Sequence, residues 1–236
     1  MSKMLIIVGA IILICMVIGY IKGFIRVTVS LGAALAGMVL VAFISPMVSD
    51  LLLKTTPIES VIQQKCEKLF EASSLEGQEE KDMDYSREKQ IYLLENAKLP
   101  KIFKERLLEN NNEEIYQTLG VGKFSEYIGT YLAKLIADIA GFLLSLLIVG
   151  VIIILILCSS KIIEKLPVVG GMNRIGGAII GGGVGVVLVW LLFIVITLFY
   201  DTEISRECMK SVEENVILKN LYEQNMLMNY ITKFRG

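Results

Sequence analysis

Histidine is absent from this chain of 236 residues, which removes together the most common general base, the most common metal ligand and the usual pH switch. No CxxC pair occurs among Cys15, Cys66, Cys158 and Cys208, so thiolate metal sites and dithiol redox chemistry lose their usual signature. Charge is scarce too: 20% of residues are charged, against about 25% in an ordinary soluble domain. Neither an acid pair nor a serine–lysine dyad stands in the middle of the apolar sequence. These absences lead us to expect a non-enzymatic protein with no catalytic residue, no cofactor and no metal. Nucleic acid is excluded as a partner because the polar regions are net acidic and repel phosphate.

Apolar sequence is abundant instead, at 54% of residues. It gathers in four blocks, Met4–Ile21, Phe24–Ile44, Ile139–Leu157 and Ile175–Phe199. Each is long enough to cross a hydrocarbon core of about 30 Å at 1.5 Å per residue, and Arg26 is the one charged residue inside them. The expected fold is all-α: a polytopic membrane protein with four transmembrane helices in two hairpins and an amphipathic-helical extramembrane insertion. Four regions follow: hairpin 1 at 1–44, the polar helical insertion at 45–130, hairpin 2 at 131–199 and a polar helical tail at 200–236. The first block reads as a retained helix rather than a signal peptide, since no small-x-small cleavage site follows it and a second apolar block begins almost at once.

Orientation is read from the short loops, whose basic residues stay in the cytoplasm. Lys22, Arg26, Lys161, Lys165 and Arg174 flank those loops, against the single acid Glu164, while the insertion has 11 basic and 16 acidic residues, a net charge of −5. Both termini and the insertion are therefore expected outside the cytoplasm. Cys66 and Cys208 share a side of the membrane in either orientation, and unpaired thiols are expected there. Within the insertion, Thr56-Pro57-Ile58-Glu59 has the form of a capping box opening a helix over about 57–72. An acidic stretch, Ser73–Asp84, reads as mobile. Helices are expected over Ser86–Leu99 and Pro100–Glu109, broken by Asn110–Asn112, with Gly120 capping a last helix from Glu113. The periodic apolar residues of the tail, Val212, Val216, Leu221, Leu227, Ile231 and Phe234, predict helix there as well.

Small residues form the most specific pattern. Gly177, Gly181 and Gly185 fall four apart on one helical face, which lets another backbone approach closely in lipid, within the chain or in a homo-oligomer; Ala178 and Gly182 widen that face. Gly19 and Gly23 repeat the spacing, with Gly32 and Gly37 farther on. Asn173 and Arg174 stand before the glycine face, the one suited to cap the helix through its side-chain oxygen, the other to sit among head groups or pair with Glu164. Lys22 and Arg26 share a face if the second helix extends back through the turn. Lys134 and Asp138, one turn apart where the third helix enters lipid, are a candidate ion pair.

Two of these patterns together resemble a known family. Gly19-x-x-Lys22-Gly23-x-x-Arg26, and Leu166-Pro167 followed by Gly170, Asn173, Arg174, Gly177 and Gly181, are similar to the colicin V production (CvpA) family of bacterial membrane proteins. The resemblance covers both hairpins and leaves out the insertion and tail. It implies four helices, no catalytic site, a bacterial cytoplasmic-membrane location, and roles in colicin V-like toxin production or secretion and in envelope homeostasis. A similar membrane domain occurs ahead of a serine protease that works outside the cytoplasm, which implies an external C-terminus. The chain departs from the family in lacking an acid near the start of the first helix and in having Lys22-Gly23 for the usual Arg-Gly. The long insertion suggests a protein partner docking at 57–120. A small transporter or channel subunit, with the Gly177–Gly185 face bordering a conduit, is the alternative function.

Overall fold

The computed structural model describes residues 3–64, 87–97, 99–160 and 170–233. Among these residues all regular structure is helical. The long helices are α1 (Lys3–Lys22), α2 (Phe24–Thr55), α6 (Phe124–Ser160) and α7 (Gly170–Leu198). Between them stand α3 (Arg87–Asn96), α4 (Lys101–Glu109) and α5 (Glu113–Leu119), and α8 (Glu203–Glu213), α9 (Val216–Glu223) and α10 (Met226–Ile231) follow α7. All four long helices have the length and hydropathy to cross a membrane. The protein is a multi-pass membrane protein built from helices alone in its described residues.

Helix ends follow local chemistry. Gly23, at φ 78, takes the left-handed conformation that a residue with a β-carbon resists, and so parts α1 from α2. That break puts Lys22 and Arg26 on different helices, which corrects the shared face expected had α2 run back through the turn. Asn112 caps α5 through its side chain, which accepts from the Ile115 amide, and Gly120 closes that helix at φ 68. Thr202 and Asn215 cap α8 and α9 in the same way. Thr56 forms no such cap: its hydroxyl donates back to the Leu52 carbonyl at 2.5 Å. Residues 58–64 are helical, and the rest of the helix expected to 72, with the acidic stretch at 73–84, lies outside the described residues.

Both α2 and α6 continue beyond their apolar blocks, α2 past Ile44 to Thr55 and α6 starting at Phe124 rather than near Ile139. Charged residues such as Lys54, Glu126 and Lys134 end a hydrophobic run without ending a helix, because Lys and Glu are good helix formers. Pro46 lies inside α2, where it removes one backbone donor.

The chain divides into two compact units. One comprises Met1–Ser45 and Phe142–Tyr230, the other Pro46–Gly141 and Ile231–Gly236. In the first, α1 and α7 run antiparallel: Gly19 meets Gly177 and Ile12 meets Gly185, and Met4 and Val8 share a buried cluster with Val189 and Phe193. Large apolar side chains point outward along this unit, Phe43 75% and Ile179 69% exposed. Such a surface is stable in acyl chains and not in water.

The second unit has its own core, in which Phe103 and Leu107 of α4 and Tyr127 and Tyr131 of α6 are fully buried or nearly so. The Tyr127 ring stacks on Tyr116 at 4.9 Å between centroids and lies 5.5 Å from Tyr131. Its hydroxyl donates to the Leu107 carbonyl at 2.8 Å, so a buried polar tip is satisfied. The Gln63 side chain donates to the Thr130 hydroxyl at 3.2 Å and crosses close to Gly129, where a β-carbon would meet it at 2.9 Å.

Candidate functional site

Glycine spacing builds the site. On α7, Gly177, Gly181 and Gly185 are buried, and what buries them is the backbone of α1. A β-carbon on Gly177 would overlap the Gly19 carbonyl oxygen, one on Gly19 would overlap the Gly177 carbonyl oxygen, and one on Gly181 would overlap that of Cys15. At Gly185 it would come within 2.9 Å of the Ile12 Cα. In each glycine a Cα–H bond takes the direction the β-carbon would have. The Gly19–Gly177 pair thus aims two Cα–H groups reciprocally at carbonyls, a contact of roughly 0.5–1 kcal/mol each. In lipid, where apolar side chains gain little by hiding from acyl chains, such close backbone packing is a main source of helix association. The same occupancy removes the conduit expected as an alternative along this face, because α1 fills it.

The remaining glycines sort by surroundings. A β-carbon on Gly182 would meet the Met16 side chain at 3.2 Å, Gly37 faces Ile153 and Val149 of α6, and a β-carbon on Gly32 or Gly170 would meet none of the described residues within 4 Å. Pro167 lies outside the described residues.

At the α1–α2 break the seam ends in a clasp. The Asn173 side-chain oxygen accepts from the Ile25 amide at 3.2 Å, one of the first amides of α2 that have no partner within their own helix. Its amide nitrogen lies against Gly23, where any β-carbon would collide with it. Asn173 was expected to cap its own helix; because α7 already starts at Gly170, it sits inside the first turn and caps α2 instead. Beside it the Arg174 guanidinium lies over the Tyr20 ring, 5.9 Å from the centroid, a cation–π contact. Asn173→Ala should remove the cap and lower stability by about 1 kcal/mol, read as an earlier midpoint in detergent unfolding, with Asn173→Asp recovering most of the loss.

At the opposite end the tail is latched to α7. The Trp190 indole donates to the Leu221 carbonyl at 3.1 Å, Asn225 donates to the Trp190 carbonyl at 3.0 Å, and the Tyr222 hydroxyl is 3.1 Å from that of Thr197. Tyr222 also meets Phe193 edge-on at 5.6 Å. Sequence reasoning missed this latch. Its one visible signal is that Trp190 is the sole tryptophan in the chain. Cys208 is a half-buried free thiol among the tail residues, while Cys66 lies outside the described residues.

In the second unit Lys134 and Asp138 stand one turn apart on α6, both half-buried. The Asp138 carboxylate accepts from the buried Ser49 hydroxyl at 2.5 Å, a short charge-assisted bond between α6 and α2. Among the described residues no cluster of three His, Cys, Asp or Glu could hold a metal ion.

Residues 118–225 match the family described as Colicin V production protein. Over this segment, a little under half of the chain, the sequence is similar to the colicin V production family. The matched stretch takes in α6, the glycine face of α7, α8 and α9, and ends on Asn225 of the latch. It therefore includes most of the tail, which the motif resemblance left out, and stops short of the first hairpin. No curated protein and no solved structure matched the chain.

Proposed function

We propose that this protein is a non-enzymatic component of the bacterial cytoplasmic membrane that supports production or secretion of a colicin V-like toxin or maintains the cell envelope. The observation that carries this reading is the family match over 118–225, which coincides with the glycine face and the latch. In this reading the bundle is an anchor, and the second unit presents a docking surface for a protein partner outside the cytoplasm, where both termini also lie. Two features of that unit support docking: it has a core of its own, and Tyr92 on α3 is 66% exposed. The family motif at Gly170, Asn173 and Arg174 has a structural role here, as does the Lys134–Asp138 pair.

The test is deletion of the gene in its own host, with two readouts: toxin activity in the medium and survival under detergent or bile-salt stress. Loss of either, restored by the intact chain and not by one with Tyr92→Glu on a normally inserted protein, is the expected result. A deletion strain equal to its parent in both readouts refutes the proposal. Cysteine-accessibility labelling at Tyr92→Cys in intact cells tests the orientation; protection from an impermeant reagent would reverse it.

A further inference from the structure

The level at which the tail is fastened to α7 is set by arithmetic on the helices. Lys3 and Lys22 close the two ends of α1, about 28 Å apart at 1.5 Å per residue, close to the thickness of a hydrocarbon core. On antiparallel α7 the basic end is marked by Arg174, packed on Tyr20, and about 30 Å along the axis from it lies Ile194. The far edge of the hydrocarbon thus passes between Trp190 and Thr197, the two residues on which α9 is latched.

Several large apolar side chains of the tail nevertheless face outward: Ile204 at 77% exposure, Val216 at 74%, Ile217 at 60% and Met226 at 72%. Three of them stand beside a residue tied to this end of α7. Ile204 precedes Ser205, whose hydroxyl donates to the Ile196 carbonyl at 2.6 Å. Ile217 precedes Leu218, which is buried in the cluster with Val189 and Phe193. Met226 follows Asn225, bonded to the Trp190 carbonyl. Exposed charges share two of these helices, Lys210 on α8 and Lys219 and Glu223 on α9.

We propose that α8, α9 and α10 lie embedded in the head-group layer of the membrane, with Ile204, Ile217 and Met226 dipping into the acyl chains and the charged side chains turned to water. The setting favours lipid over a protein partner because the exposed apolar side chains are spread over three short helices that are fastened to the end of a membrane-crossing helix. Segments with one apolar and one charged side settle at this boundary, and Trp190 beside them is the residue type enriched there.

The test uses the full chain, with its native cysteines replaced by alanine, in phosphatidylcholine–phosphatidylglycerol vesicles. Nitroxides are attached one at a time at Ile204→Cys, Ile217→Cys, Met226→Cys, Lys219→Cys and Glu223→Cys, and collisions with oxygen and with a water-soluble nickel chelate are measured. The expected result is an oxygen-to-nickel ratio several-fold higher at 204, 217 and 226 than at 219 and 223. Equal nickel access at all five positions, or exclusion of both reagents at 217, which would mean a protein or a second copy covers it, overturns the proposal. The unmodified chain gives a second reading through its single tryptophan. Lipids brominated near the head group should quench Trp190 more than lipids brominated near the chain end, and the reverse order overturns the assigned depth.

Discussion

Gly177→Leu should pull α1 away from α7. The new side chain would drive into the Gly19 carbonyl and the backbone of Gly23, which a β-carbon alone would approach to 2.8 Å. Backbone cannot swing aside as a flexible side chain can. Overpacking usually costs about 1–3 kcal/mol, and with two backbone segments in the way the upper end, about 3 kcal/mol or more, is expected. That is a large share of the 5–15 kcal/mol that separates most native proteins from unfolding. The matched control is Gly183→Leu, on the same helix, where a β-carbon would meet none of the described residues within 4 Å, which should leave stability unchanged. Unfolding in mixed detergent micelles, followed by Trp190 emission, distinguishes the two. Equal midpoints for the two variants would show that the seam does not hold these helices together. Gly19→Ala and Gly177→Ala disturb one shared contact, so their combined effect should fall short of the sum.

The second large effect is expected in the other unit. Phe103 and Leu107 have no exposed surface, and Tyr127 bonds to the Leu107 carbonyl. Phe103→Ala should cost about 3–5 kcal/mol, by lost burial and by the cavity it leaves, and with it the order of α3, α4 and α5. The glycine seam belongs to the first unit, so Trp190 emission should keep its native unfolding midpoint while proteolysis of the intact protein shifts to sites between 87 and 119. Resistance equal to that of the parent would mean the second core is not held as described. If the proposed docking surface is correct, this variant should also lose toxin production or envelope protection while remaining in the membrane.

Much of the architecture was legible in the sequence, since lipid forces backbone groups to pair within each segment and long uncharged runs therefore announce helices. The spacing of Gly177, Gly181 and Gly185 showed which face packs, and did not show against what. The partner is a stretch of α1 around Cys15 and Gly19, and complementarity between two distant backbones leaves no trace in either alone. Asn173 was misplaced for a local reason: an asparagine ahead of an apolar run looks like the N-cap of that run, and the extra helical residues from Gly170 were hidden by a glycine-rich stretch. Helices α2 and α6 overran their hydrophobic blocks because hydropathy reports contact with lipid, whereas helix formation depends on backbone and propensity. The latch was invisible for a further reason. Tyr222 and Asn225 look like ordinary members of an amphipathic helix, and only the positions of Thr197 and Trp190 across the fold give their polar atoms these partners.

One bond described above also sets an order of events. Ile25 and Asn173 are 148 residues apart, and at about 5–20 residues per second a ribosome needs roughly 7 to 30 s to travel from one to the other. Throughout that interval the opening turn of α2 must rely on water or lipid head groups for the hydrogen bond that asparagine later supplies. The junction between the first two helices is thus provisional while most of the polypeptide is being made, and is locked only when the glycine-rich stretch of the last membrane crossing emerges and slides in beside it.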